Sequence, residues 1–283
     1  MNKLATKPTG YRVLSLEQET PAQSKETDAE IIERLRERFE ILDDMTRAVK
    51  KGAVRAMIVS GAPGVGKSFG VEKVLGKHGL MADIAQDEKL KKYEIVKGAM
   101  SAIGLYSKLY EFSDSKNILV FDDCDSVLLD DLSLNILKAA LDTSKKRTIS
   151  WNTDSRLLRS EGVPNSFEFK GGAIFITNIN FQNIKSKKLQ DHLAALESRC
   201  HYIDLTIHTE REKMLRIKQI VSDGMLNEYD FTEAQTTAII EFIDANKKRL
   251  RELSLRTVLK TADLMRSFPG DKWQRVAQIS LMK

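Results

Sequence analysis

The sequence predicts an α/β fold in two parts, a parallel sheet sandwiched by helices and then a small all-helical unit. Three observations carry that expectation. Short apolar runs alternate with helical stretches between Arg55 and Thr177, the first of those runs enters a glycine-rich turn that opens a helix, and the strand pattern stops after Asp204. Strands covered on both faces read as continuous apolar runs, and these do.

Residues 1 to 27 are polar, contain Pro8 and Pro21 and show no periodicity, which predicts a flexible N-terminal arm. From Asp28 the apolar residues Ile31, Ile32, Leu35, Phe39, Leu42 and Met45 recur at three- and four-residue spacing, giving one amphipathic helix that ends near Gly52. Arg55 to Ser60 is the first strand and Lys67 to Leu75 the helix after the glycine-rich turn. Further strands are expected at Tyr93–Val96, Asn117–Phe121 and Ala173–Thr177, with helices at Ser101–Tyr110 and Leu129–Leu141. A short strand follows at Tyr202–Leu205. Helices are then expected at Glu210–Val221, Glu233–Lys248 and Leu255–Phe268, with Thr209 and Thr232 as N-caps and Pro269 and Gly270 as a stop. A last short helix covers Asp271 to Met282.

Composition narrows the function classes. The chain has 283 residues, 42% hydrophobic and 30% charged, enough for one large domain or two modest ones. There is no run of about 18 apolar residues and no apolar N-terminal segment, so a cytoplasmic protein without a membrane partner is expected. Cys124 and Cys200 stand apart with no Cys/His cluster at zinc spacing, which argues against disulfide scaffolds and structural zinc. A formal charge of +5 permits nucleic-acid binding without demanding it.

The segment Gly61-Ala62-Pro63-Gly64-Val65-Gly66-Lys67-Ser68 fits G-x-x-x-x-G-K-[ST] and sits between an apolar strand and a helix, where a phosphate loop has to be. The glycines let the backbone curl until several N–H groups converge on phosphate oxygens, and the following helix, with Phe69 in its first turn, aims its positive end at the same point. Lys67 suits the β- and γ-phosphates of ATP, and Ser68 offers a hydroxyl to Mg²⁺. About 55 residues on, Ile118-Leu-Val-Phe-Asp122-Asp123-Cys124-Asp125 is an apolar strand ending in carboxylates. A strand placed beside the phosphate-loop strand would bring Asp122 to the metal and Asp123 to the attacking water, with Asp125 capping the next helix. The usual second residue is Glu; Asp is about one methylene shorter, which predicts slower hydrolysis or help from another group.

The strand Gly171–Asn178, ending in Thr177-Asn178, resembles the sensor 1 strand of AAA+ ATPases, whose amide meets the γ-phosphate and the lytic water. Leu196-Glu-Ser198-Arg199-Cys200 resembles the Ser-Arg-Cys element of clamp-loader subunits, in which the arginine reaches a neighbouring subunit's ATP; a permanently charged planar fork fits that task. Leu253-Ser-Leu-Arg256-Thr-Val-Leu259 resembles the sensor 2 helix, with Arg256 as the nucleotide contact and Arg251 as its competitor. The resemblance runs from about Asp28 to Phe268, in the family's order. It implies a parallel-sheet P-loop NTPase core at 28–206 followed by a small all-α lid at 207–283, with ATP and Mg²⁺ in the cleft. It also implies homo-oligomeric rings, often hexameric, with Asp123, Asn178 and Arg199 catalytic.

Two places suggest a substrate surface. The long connection Asp142–Gly172 holds two β-like pieces, Arg147–Trp151 and Ser166–Lys170, that can pair as a hairpin resembling the insertion before sensor 1; Lys145, Lys146, Arg147, Arg156 and Arg159 make it basic. Lys97-Gly-Ala-Met100 stands where AAA+ translocases carry a pore loop but lacks the aromatic residue of peptide-threading rings, which favours nucleic acid. Lys185, Lys187 and Lys188 form a third basic cluster of the kind that usually marks a solvated helix start. The expectation is an ATPase ring that moves or remodels DNA or a DNA-bound complex, by analogy a replication or recombination accessory of phage type. A protein-remodelling chaperone and an ATP-switched assembly factor with little turnover remain as alternatives.

Overall fold

The computed structural model describes residues 26–76 and 92–283, the side chain of Gln182 excepted; the expected N-terminal arm lies outside the described residues up to position 25. Helix α1 (Asp28–Lys50) starts at Thr27, whose hydroxyl accepts the Glu30 N–H while the Glu30 carboxylate accepts the Thr27 N–H at 2.7 Å. Ile31, Leu35, Leu42 and Val49 form its buried stripe. Strand β1 (Ala56–Ser60), α2 (Lys67–Leu75), β2 (Tyr93–Lys97), α3 (Ala102–Glu111) and β3 (Ile118–Asp122) follow within a residue or two of the expected bounds.

The single helix expected over 129–141 is instead two, α4 (Ser126–Leu129) and α5 (Asp131–Ala140). Asp130 between them is extended, and its carboxylate accepts the Ser133 N–H at 2.8 Å. That is a helix start rather than an interior position. Next come β4 (Thr148–Ser150), α6 (Arg156–Ser160), β5 (Ser166–Glu168), β6 (Gly172–Thr177), α7 (Lys187–Glu197) and β7 (His201–Asp204). Helices α8 (Glu210–Ile220), α9 (Glu233–Asn246), α10 (Leu255–Ser267) and α11 (Lys272–Leu281) complete the chain.

Five parallel strands form one sheet in the order β2-β3-β6-β1-β7. Contrary to the expectation from sequence, the acidic strand β3 does not lie beside β1, which enters the glycine-rich turn: β6 runs between them and pairs with both. Period-two alternation sorts each strand's residues onto two faces. Ile58, Leu119, Phe121 and Phe175 face α3, α4, α5 and α7, with the Phe121 and Phe175 rings stacked 5.0 Å apart. Met57, Val59, Val120, Ile174 and Ile176 face α1 and α2. The central strands are apolar throughout because both faces are covered.

Strands β4 and β5 pair antiparallel, Thr148 with Glu168 and Ser150 with Ser166, so the expected hairpin is present. Its aromatic residues lean on α3: Tyr106 meets Trp151 at 5.6 Å and Phe167 at 5.1 Å between centroids. Arg147 is not part of a basic surface. It is 7% exposed, donates to the Ala140 and Gly171 carbonyls at 3.1 Å each, and lies over the Phe169 ring. Burial pushes its guanidinium down to about 10. The expectation that Arg147 contacts nucleic acid is corrected on that ground: its donors close the base of the hairpin. Arg159 pairs with Asp154, and Lys188 at the start of α7 with Asp131.

In the C-terminal part, Thr209 and Thr232 each close a capping box, with Glu212 and Gln235. Helices α8 to α11 bury their own cluster, including Ile217, Ile239, Ile243, Val258, Ala262 and Trp273. A smaller cluster of Ile31, Leu35, Val65, Ile207 and Leu215 joins α1, the glycine-rich loop and α8. Among the described residues no helix is long and apolar enough to cross a membrane.

Candidate active site

The site lies at the C-terminal ends of β1, β6 and β3. After Ser60 the chain turns through Gly61–Gly66, with Gly64 at φ +70° and Gly66 at φ +103°, left-handed values that glycine adopts more readily than any residue with a Cβ. Gly64 meets a second requirement: a Cβ there would lie 2.7 Å from the Ser254 Cβ. The start of α10 is docked against the loop, and the Leu255 N–H donates to the Gly64 carbonyl at 3.0 Å.

Lys67 opens α2 and is 5% exposed. Its ammonium donates to the carbonyls of Gly61 at 2.7 Å and Ala62 at 2.9 Å and to Asn178 Oδ1 at 2.8 Å. Burial lowers its pKa to about 8, against the attraction of Asp123 and Asp122; the Arg256 charge acts with burial. The Asn178 side-chain N–H₂ donates to Asp123 Oδ1 at 2.7 Å. Lys67, Asn178 and Asp123 therefore form one hydrogen-bonded chain across three strand ends.

Asp123 has φ +51°, a left-handed conformation that Asp tolerates better than bulkier residues. Its N–H is anchored on the Ile176 carbonyl at 3.0 Å, which sets the end of β3 against β6. Asp125 occupies the N-cap position of α4, yet its carboxylate accepts the Thr177 hydroxyl at 2.7 Å rather than a helix amide. That corrects its reading as a simple cap: Asp125 and Thr177 brace the turn that carries Asn178.

Ser68 donates its hydroxyl to Asp122 Oδ1 at 2.8 Å, and Asp122 is buried at 5% exposure. Two hard oxygen donors stand together beside the glycine-rich loop, a pair that suits a hard cation such as Mg²⁺. Among the described residues no group of three or more His, Cys, Asp or Glu could hold a metal by itself. Phe69 is 70% exposed on the first turn of α2.

Arg256 lies on the exposed side of the same helix start that meets Gly64, within electrostatic reach of Lys67. Its competitor Arg251 is tied to the chain's end: its Nε donates to the Met282 carbonyl at 2.9 Å. Arg199 is not brought to the site. It precedes β7, whose His201 pairs with Met57 near the start of β1, so it sits about 13–16 Å, one strand length, from the loop at the far end of β1. There it donates to the Ala195 carbonyl at 2.6 Å, and its Nε finds no hydrogen-bond partner among the described residues. Lys145 and Lys146 are exposed at that same end, next to Asp142 and Ser144, whose carbonyls accept Arg55 at 2.9 Å.

Some participants escaped the sequence. Lys97 pairs with Asp122 at 3.3 Å and with Glu72 at 3.1 Å, so the lysine nominated for a substrate loop is held at the site. Arg216 of α8 lies 3.5 Å over the Phe39 ring, and Arg34 pairs with Glu212 at 2.8 Å, which clasps α8 to α1 next to the loop. No motif carries these pairs; only the fold makes the partners neighbours.

No protein-family model matches the chain. It is 36% identical over 256 residues to an uncharacterized 36.7 kDa protein of the nrdC-mobD intergenic region of Enterobacteria phage T4, the match covering 89% of this chain and 76% of that protein. Among solved structures it is similar to a chain in the structure of Drosophila ORC bound to DNA, at 13% identity and a TM-score of 0.40, covering 97% of this chain and 66%, just under two thirds, of that one.

Proposed function

This chain belongs to the family of the 36.7 kDa phage T4 protein, and from that premise we propose that it is an AAA+ ATPase that binds ATP with Mg²⁺ and hydrolyses it at the junction between copies of itself. The observation that carries the proposal is the Lys67–Asn178–Asp123 chain standing next to the Ser68–Asp122 pair at the mouth of a glycine-rich loop. In this reading the loop amides and Lys67 take the β- and γ-phosphates, and Ser68 and Asp122 hold Mg²⁺, which supplies charge neutralisation at the phosphate oxygens. Asp123 and Asn178 orient a water in line with the bond between the γ-phosphorus and its bridging oxygen. The water's oxygen would bond to the γ-phosphorus as that bridging bond breaks, releasing ADP and inorganic phosphate, and the water's proton would pass toward Asp123.

The proposed division is an α/β nucleotide-binding domain over 28–206 and a helical lid over 207–283, with Arg256 reaching in from the lid. Arg199 is proposed to act on a neighbouring copy, since in its own chain it is a strand length away from the loop. The substrate proposed is DNA or a DNA-bound complex, met by Lys145 and Lys146 rather than by the buried Arg147. A second reading, an assembly factor switched by ATP with little turnover, is favoured by one observation: the shorter acid Asp123 is already engaged by Asn178.

The test is steady-state ATP hydrolysis with and without single- and double-stranded DNA, for wild type, Lys67→Ala and Arg199→Ala. Each variant alone is expected to be inactive. A mixture of the two should recover part of the activity, because one junction then combines an intact Lys67 with an intact Arg199. Full activity of Arg199→Ala sinks the shared site. DNA-indifferent turnover turns the substrate toward protein, and absent turnover with ATP-dependent oligomers supports the switch.

A further inference from the structure

The metal side of the candidate site already has a cation. Lys97 ends β2 and lies level with Asp122 in the β2–β3 ladder. Its ammonium is 3.3 Å from Asp122 Oδ2, while Ser68 donates to Asp122 Oδ1 at 2.8 Å. Both oxygens of this buried carboxylate are thus engaged, one by a hydroxyl and one by a charge. Glu72 on α2 completes the arrangement by accepting from Lys97 at 3.1 Å, and that bond, followed by the one to Asp122, raises the pKa of Lys97. A carboxylate as buried as Asp122 requires a counter-charge, and Lys97 supplies it.

We propose that Lys97 is the resident counter-cation of Asp122, that it yields this carboxylate when a divalent cation is held by Ser68 and Asp122, and that its release rearranges the segment Gly98–Met100, which is exposed at Gly98 and Ala99. The inference rests on the reading of Ser68 and Asp122 as the metal-holding pair. Two cations cannot share one buried carboxylate at close range without strong repulsion, so the loaded and empty states must place Lys97 differently. Glu72 keeps the released ammonium within reach, which makes the motion a short swing.

The segment is built to transmit it. Met100 is anchored to the same acidic strand end: its N–H donates to Ser126 Oγ at 3.0 Å, and its carbonyl accepts that hydroxyl at 3.3 Å. Gly98, between the two anchors, has φ +92°, with open space where a side chain would stand. Such a residue absorbs a backbone rotation at little cost. The segment therefore hangs from Asp122 through Lys97 and from Ser126 through Met100, and only the first tie competes with a metal.

Mn²⁺ binding to the full chain with ADP present, followed by the resonance signal of free Mn²⁺, tests this directly. Lys97→Met is expected to bind Mn²⁺ at least about threefold more tightly than wild type and with a steeper loss of affinity as salt rises, because no competing Lys97–Asp122 pair is left for salt to weaken, whereas Lys97→Arg should resemble wild type. Lys97→Gln serves as the second neutral variant should Lys97→Met fail to fold. Hydrogen exchange at Ala99 and Met100 should change on adding Mn²⁺ to the wild-type ADP complex and be insensitive to Mn²⁺ in the neutral variant. Unchanged or weaker Mn²⁺ binding in a neutral variant that still takes up ADP would overturn the proposal. If Ser68→Ala and Asp122→Asn bind Mn²⁺ as tightly as wild type, the metal-site reading itself fails and takes the inference with it.

Discussion

Burial holds the Lys67 ammonium down to about 8, with Asp123 and Asp122 acting against the shift. In the unfolded chain this lysine keeps its ordinary value of 10.5, so between about pH 8 and 10.5 the folded, nucleotide-free protein binds fewer protons than the unfolded chain. Its contribution to stability is therefore unfavourable below about pH 8 and improves as pH rises through that window. Phosphate oxygens beside the ammonium raise its pKa again, so nucleotide binding at pH 9 should take up a fraction of a proton. Calorimetry in two buffers of different ionisation enthalpy measures this uptake, and Lys67→Met should abolish it. At the neighbouring acid, Asp123→Asn preserves a side chain that tolerates the left-handed backbone. It is expected to keep ATP binding and lower turnover by about 10²- to 10⁴-fold, read from kcat and a nucleotide titration. Lys67, Ser68, Asp122 and Asp123 were legible because each motif is contiguous in sequence. The bond from Lys67 to Asn178 spans 111 positions, and no local pattern encodes it.

At the scale of elements, the hairpin β4–β5 hangs on Arg147, whose two donors satisfy the Ala140 and Gly171 carbonyls. Arg147→Met leaves both acceptors without their donor and should cost about 1–3 kcal/mol, measured by denaturant unfolding. If the protein binds DNA through its exposed lysines, this substitution leaves the salt dependence of binding unchanged, whereas Lys145→Ala with Lys146→Ala lowers the slope by about 2. A basic run therefore misled the sequence reading for a definite reason. Charge was legible there, but the side to which each residue points depends on the strand start at Thr148 and on Phe169 beneath. The helix bounds were legible wherever a cap was, as at Thr209 and Thr232. At Asp130 apolar periodicity runs on across the cap and masks it in the sequence; Asp130→Ala should cost about 1 kcal/mol. The place of β3, one strand away from β1, was beyond reach of the sequence because neighbours in a parallel sheet need not follow chain order.

For the whole molecule, the two ends of the sheet divide the proposed chemistry. The loop, Asp122, Asp123 and Asn178 gather at one end, and Arg199 with Lys145 and Lys146 at the other. If Arg199 acts across a junction as proposed, a lone copy carries both halves of a site without being able to join them. ATP turnover per chain should rise with protein concentration and level off once oligomers are complete, as activity and sedimentation measured on the same dilution series would show; a flat profile excludes a shared site. The joint between the sheet and the helical part has a different character. The Leu255 amide grips the Gly64 carbonyl, main chain to main chain. Truncating side chains one at a time would disturb the Arg34–Glu212 pair and the Ile31–Leu215 cluster but would pass over this one bond in silence, since every residue except proline offers the same amide. Only an edit to the peptide unit itself, an ester in place of that amide, would reveal how firmly the helical part listens to the loop.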